Sequence, residues 1–168
     1  MEKPKVAILM GSKSDAEKIK PAVDTLNDLQ IPCAVRVMSA HRTPAKVAEF
    51  AGNAEAEGIQ VLIAAAGMAA HLAGVVAAHT MLPVIGIPVQ GGALNGLDAL
   101  LATVQMPGGI PVGTTAIGGA GAKNAALLAA RIIALQDKEL RQRLQKDREN
   151  QEDSVSQADQ SLQQEMGL

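Results

Sequence analysis

The apolar positions of this chain fall into short, nearly unbroken runs separated by longer stretches of helical periodicity. Residues 6–10 (Val-Ala-Ile-Leu-Met) and 61–66 (Val-Leu-Ile-Ala-Ala-Ala) carry no polar side chain, the pattern of parallel strands buried on both faces. Residues 84–89, with Pro83 before them and Pro88 within, read as a further strand, and the β-branched segments 33–38 and 112–117 bring the count to five. Between the strands lie helical patterns: from Ser14 or Asp15 to about Gln30, over 45–57 with Val47, Phe50, Ala51 and Ala54 on one face and Gly58 as a stop, over 97–104, and over 122–136. Alternation of strand and helix predicts an α/β domain, a three-layer, doubly wound parallel sheet with strand order 2-1-3-4-5.

That order brings the exits of strands one, two and three to one crevice, and the polar residues of interest fall there. Residues 11–15 (Gly-Ser-Lys-Ser-Asp) leave the first strand with hydroxyls, a cation and a carboxylate. The spacing is neither that of a P-loop nor the Gly-x-Gly-x-x-Gly fingerprint, and helix capping by Ser14 or Asp15 accounts for part of the segment without any ligand. Residues 39–44 (Ser-Ala-His-Arg-Thr-Pro) leave the second strand. There His41 can gain or lose a proton near neutral pH, Arg42 offers a permanent planar fork of donors, and Pro44 suits a helix's first turn. Residues 67–74 (Gly-Met-Ala-Ala-His-Leu-Ala-Gly) leave the third strand on small side chains that let backbone approach a ligand. His71 can line the crevice from this segment, whereas His79, in the following helix, reads as a buried structural histidine.

Composition narrows the function. Of 168 residues 48% are hydrophobic, yet Phe50 is the single aromatic, and the net charge is −2. A nucleic-acid surface needs a basic stripe, and a single-strand binder needs stacking platforms, so neither is expected. Cys33 is the lone cysteine and reads as a small strand hydrophobe in a protein of a reducing compartment. No stretch approaches 20 apolar residues and no signal segment opens the chain, which predicts a soluble cytoplasmic protein without membrane contact. Helix 122–136 is apolar on nearly all sides and points to burial against the sheet or between subunits. Residues 137–153 then turn densely charged, with Leu140 and Leu144 as a narrow stripe, an added C-terminal helix expected to dock on a neighbouring subunit. The organisation expected is one catalytic domain over 1–153 and a polar, disordered tail over 154–168.

Six segments together carry a family resemblance: Met10-Gly11-Ser12-Lys13-Ser14-Asp15, Ser39-Ala40-His41-Arg42-Thr43-Pro44, Ala69-Ala70-His71-Leu72, 83–89, 104–112 and 124–129. In this order the chain resembles the bacterial N5-carboxyaminoimidazole ribonucleotide mutases of de novo purine synthesis. The resemblance implies a flavodoxin-like subunit in a homo-octamer, acting on a small ribonucleotide without metal, ATP, biotin or other cofactor, and coupled functionally to the ATP-dependent synthetase that makes its substrate. By position it implies His41 as the catalytic acid/base, Arg42 on the phosphate and Asp15 on the ribose hydroxyls. Ser12 matches a ribonucleotide-binding position likewise, and Ser14, Ser39, Ala40, Gly67, Ala70, His71 and Leu72, from the same three loops, are expected to complete the substrate site. Where many members read Gly-Gly-Ala-Ala-His-Leu-Pro-Gly, this chain has Met68 and Ala73, which bear on the shape of the pocket. Two other readings stand beside the mutase: a carboxylase using free carbon dioxide, for which Lys in place of Arg42 is usual, and a non-catalytic ribonucleotide-binding module on the same fold.

Overall fold

Strand β1 (Val6–Met10) is buried at every position and lies between β2 (Cys33–Val37) and β3 (Val61–Gly67) in the computed structural model, which describes residues 3–167. With β4 (Val84–Val89) and β5 (Gly113–Thr114) the sheet is parallel throughout, in the expected order β2-β1-β3-β4-β5. The pleat divides β1 cleanly: Val6, Ile8 and Met10 enter one core layer while Ala7 and Leu9 enter the other. Strand β3 does the same with Val61, Ile63 and Ala65 against Leu62 and Ala64. Each such buried Ile or Leu is worth about 1.5–3 kcal/mol relative to exposure, so a slip of register by one residue would forfeit both layers at once.

Helices α1 (Ala16–Asp28) and α5 (Gly119–Ile133) cover the first face, and α2 (Pro44–Asn53) with α3 (Leu72–Ala77) the second. Helix α4 (Leu97–Val104) lies beside β4, where Thr103 packs over Gly86. The apolar composition of residues 122–136 is spent mostly inside the subunit. Ala122, Ala125, Ala126, Ala129, Ala130 and Ile133 are buried at helical spacing against the sheet and α1, leaving Leu128 39% and Leu135 81% exposed. Cys33 is half-buried and free, with its thiol pushed up by burial, as its reading as a strand hydrophobe requires.

Four expectations need correction. The fifth strand is confined to Gly113 and Thr114; beyond it the Thr115 N–H and hydroxyl both donate to the Gly86 carbonyl, at 3.1 and 3.2 Å, and the edge ladder gives way to a turn into α5. Helix α2 stops at Asn53, and residues 54–57 form turns that end on Gly58 at φ +93. His79 lies beyond the end of α3 and is exposed, its Nδ1 2.8 Å from the Val75 carbonyl. Finally, α6 (Lys138–Met166) runs straight through the segment expected to be disordered. Asp137 caps it by accepting from the Leu140 N–H at 2.9 Å, and Leu140 anchors it in the core at 1% exposure. From Arg148 to its end every residue of α6 is exposed, so this part rests on helix-forming composition and i,i+4 pairs such as Arg148–Glu152 and Gln163–Asp159.

The turn into α5 fixes one glycine absolutely, because a Cβ on Gly121 would overlap the Ala116 carbonyl oxygen. Gly121→Ala is therefore expected to cost about 3 kcal/mol in a urea unfolding curve. Gly119→Ala, whose Cβ would stand an ordinary 3.6 Å from Pro21 Cγ, should be neutral or slightly stabilising. Equal costs at the two positions would contradict this account of the turn.

Candidate active site

Four strand ends border a crevice of about 560 Å³ at the carboxyl edge of the sheet. The first contributes the turn after β1. Ser12 caps the short 3-10 turn Lys13–Asp15 by accepting from the Ser14 N–H at 3.3 Å and the Ser14 hydroxyl at 2.8 Å. Asp15 occupies the N-cap position of α1 but makes no side-chain capping bond, so capping does not account for its carboxylate. The side chain is 13% exposed and borders the crevice. Burial pushes its carboxyl above the usual value, and the Lys18 ammonium, 3.9 Å from Oδ1, works in the opposite direction.

The segment after β2 is stapled to itself. Thr43 Oγ1 accepts from the Ser39 N–H at 2.9 Å and donates to the Ser39 carbonyl at 3.1 Å, while Ser39 Oγ accepts from the Arg42 N–H at 3.2 Å. Serine and threonine hydroxyls thus close a tight loop that leaves the side chains of residues 41 and 42 outside it. Arg42 reaches back to the first strand, where its Nη2 donates to the Gly11 carbonyl at 2.8 Å. One donor fixes the guanidinium plane and the others remain for an anion. His41 turns the other way, toward the third strand's exit.

There Gly67 passes close to β4: a Cβ would lie 3.1 Å from the Val89 carbonyl oxygen, tighter than side chains allow without movement. Met68 follows with φ +51, a left-handed conformation that costs a non-glycine residue roughly 1 kcal/mol. His71 precedes α3, and its Nδ1 lies 2.7 Å from His41 Nε2 with the rings 82° apart, edge to face. One hydrogen sits between the two nitrogens. The pair keeps this bond when neutral or singly protonated and must break it when both rings are cations. Ala73, the second residue of α3, is 2% exposed in the first turn, a place where proline is equally at home.

Of the residues expected at the site, Ser12, Ser14, Asp15, Ser39, Ala40, His41, Arg42, Gly67, His71 and Leu72 border the crevice. Ala70, buried at 1% exposure, does not, and neither does the exposed Lys13. Four lining residues lie outside the three expected loops, Lys18, Ala66, Gln90 and Gly91. Strand order 2-1-3-4-5 sets β4 beside β3 and so announces the 90–91 segment, while Lys18 stands one helical turn after Asp15 on the same face. Two cations, one carboxylate and a hydrogen-bonded imidazole pair in one crevice suit an anionic substrate that must exchange a proton.

The profile of the AIR carboxylase family matches residues 5–154. An N5-carboxyaminoimidazole ribonucleotide mutase of Bacillus subtilis is 54% identical over 159 residues, 95% of this chain and 98% of that protein. One of Escherichia coli K12 is 58% identical over 151 residues, 90% of this chain and 89% of that protein. Among solved structures, Treponema denticola PurE superposes with a TM-score of 0.85 at 32% identity, covering 95% of this chain and 98% of that one.

The geometry makes Arg42 the best-placed cation for a phosphate, since it is held by one backbone bond with donors to spare. Arg42→Lys keeps the charge but cannot hold Gly11 and an anion in the same plane. Calorimetric titration with a nucleoside 5′-monophosphate should show affinity lower by about tenfold; equal affinity would move the phosphate to Lys18.

Proposed function

The chain belongs to the AIR carboxylase family, and from that premise we propose that it is an N5-carboxyaminoimidazole ribonucleotide mutase, an isomerase of de novo purine biosynthesis yielding 4-carboxy-5-aminoimidazole ribonucleotide. The observation that carries the reading is a histidine pair at 2.7 Å inside a crevice that also holds a backbone-anchored arginine and a covered aspartate. Close identity to curated mutases over nearly the whole chain supports it.

The roles follow from the chemistry. Arg42 grips the 5′-phosphate, Asp15 accepts from the ribose hydroxyls, and Ser12, Ser14, Ser39 and Ala40 line the ribonucleotide between them. His41 gives a proton to the exocyclic nitrogen as its bond to the carboxyl carbon breaks, which releases carbon dioxide and leaves a neutral amine. The ring carbon then attacks the carbon dioxide, and His41 takes back the proton displaced from that carbon, so the isomerisation balances without any co-reactant. His71, hydrogen-bonded to His41, fixes the tautomer and the ring plane. Carbon dioxide has no charge to hold. Its retention rests on apolar walls from Gly67, Met68, Ala69 and Leu72, and on a local concentration equivalent to about 10⁵ M or more.

Residues 1–153 form the catalytic unit of a cytoplasmic homo-octamer. No described helix is long and apolar enough to cross a membrane, whereas Leu97, Leu101 and Val104 along α4, with Leu94 in the turn before it, are about half exposed, a surface fit for subunit contact. The substrate's carboxyl hangs on nitrogen and is lost readily in water, so the ATP-dependent synthetase that forms it must work alongside this enzyme.

His41→Asn removes the proton carrier while keeping a polar side chain of similar reach. Turnover should fall by about 10²-fold or more, with affinity for the product nearly unchanged; near-normal turnover would remove His41 from its role. A second experiment separates mutase from carboxylase. Substrate labelled in its carboxylate, incubated in unlabelled bicarbonate, should give product that keeps most of its label, and Met68→Gly, which opens the apolar wall, should lower that fraction. Dilution of the label to the level of the bulk pool in the wild-type enzyme would replace the mutase reading with the carboxylase.

A further inference from the structure

Lys18 belongs to none of the motifs that mark the crevice, yet its side chain enters it. Its Nζ donates to the Gln90 carbonyl at 2.6 Å and lies 3.9 Å from Asp15 Oδ1. These two partners come from different strand exits, Asp15 from the turn after β1 and Gln90 from the first position after β4, with β3 between the two strands. The segment from Gln90 onward is also held by packing. A Cβ on Gly92 would stand 3.3 Å from Met68 Cγ, and one on Gly118 would stand 3.4 Å from the Gln90 amide carbon. Lys18 supplies the charged hydrogen bond in that set, and it alone reaches from there to the carboxylate.

The geometry points to Lys18 as a positioning residue for the reaction of this site: it orients the Asp15 carboxylate in the crevice and ties residues 90–92 across the edge of the sheet. The assignment rests on the mutase reading for the identity of the substrate, but the contacts themselves belong to the ligand-free chain. A carboxylate can accept from both ribose hydroxyls at once, whereas a protonated carboxyl must use one oxygen as a donor. Asp15 is mostly covered, which raises its carboxyl above the usual value, and the ammonium one turn away opposes part of that shift. The other groups that border the crevice are Arg42 and His41 from the segment after β2 and His71 from the start of α3. Lys13 and Glu17, on the same turn and helix as Asp15, are exposed and outside it. Arg42 turns its Nη2 to the Gly11 carbonyl, and the ion pair of Asp15 is with Lys18.

Lys18→Met keeps the length and the apolar stem and removes the charge; Lys18→Arg keeps the charge. Carbon-13 NMR titration of the Asp15 carboxyl in the ligand-free proteins should place its midpoint higher in Lys18→Met than in wild type by about half a pH unit or more, with Lys18→Arg close to wild type. Steady-state kinetics at pH 7.5 with N5-carboxyaminoimidazole ribonucleotide should show KM raised about fivefold in Lys18→Met and kcat changed by less than about threefold, again with recovery in Lys18→Arg. A structural tether alone would lower Tm and leave the Asp15 midpoint in place. An unchanged Asp15 midpoint in Lys18→Met therefore overturns the proposal, as does an unchanged KM. Should the wild-type enzyme fail to turn over this substrate, the mutase reading falls, and the titration still decides whether Lys18 governs Asp15.

Discussion

Burial of β1 and β3 on both faces is the constraint from which the rest follows. Every residue of β1 is apolar and at most 4% exposed, and the first five residues of β3 are equally covered. Strands of this kind can carry no chemistry along their length, since an unpaired polar side chain there would cost several kcal/mol. Polar groups are displaced to the strand ends. Parallel pairing sends all carboxyl ends to one edge, and the reversal of winding between β1 and β3 separates the helices that follow them, α1 to one face and α3 to the other. The crevice opens where those helices part.

Within the crevice, precision comes from short-range bonds made by the loops themselves. The 39–43 segment closes on the Ser39 and Thr43 hydroxyls, and the turn after β1 closes on Ser12. Neither loop depends on a ligand for its shape. Arg42 and Lys18 are each held by a backbone carbonyl of another strand exit, Gly11 and Gln90, at 2.8 and 2.6 Å. Cations that spend one hydrogen bond on a fixed carbonyl lose less side-chain entropy when an anion arrives. Preorganisation of the charges is thus a by-product of how the four loops hold one another.

How legible this was in the sequence depended on how local the determining interactions are. Residues 6–10, 84–89 and 97–104 were readable to the residue, because apolar continuity or helical spacing is a property of the segment alone. The fifth strand was not, since Thr114 and Thr115 are equally β-prone and only the position of Gly86 decides which of them joins the ladder. The tail failed for the opposite reason: few apolar residues argued for disorder, but side-chain pairs at i,i+4, Ser161–Glu165 and Gln163–Asp159, support helix without any core. Ser12, Asp15, His41, Arg42 and His71 were visible through motif and strand order together. Lys18 carries no such mark in the sequence, because its meaning lies in a carbonyl 72 residues away.

Under the mutase mechanism proposed above, two demands on this crevice conflict. Gripping an anionic ribonucleotide calls for charge and donors, whereas keeping a neutral, newly released carbon dioxide beside the ring calls for dry, apolar walls. The structure separates them by strand. Asp15, Lys18 and Arg42 come from the exits of β1 and β2, while Gly67, Met68, Ala69 and Leu72 come from the exit of β3. His41 and His71 meet on that boundary, one ring from each side. A proton carrier placed there can serve the leaving nitrogen and the attacked ring carbon without carrying charged groups into the apolar half. Met68 shows the cost of that division, since a left-handed methionine is strained where glycine would not be, yet its side chain lies along Gly92 and extends the apolar wall toward the exit of β4. Strain retained at such a place is consistent with a wall that serves confinement more than it serves stability.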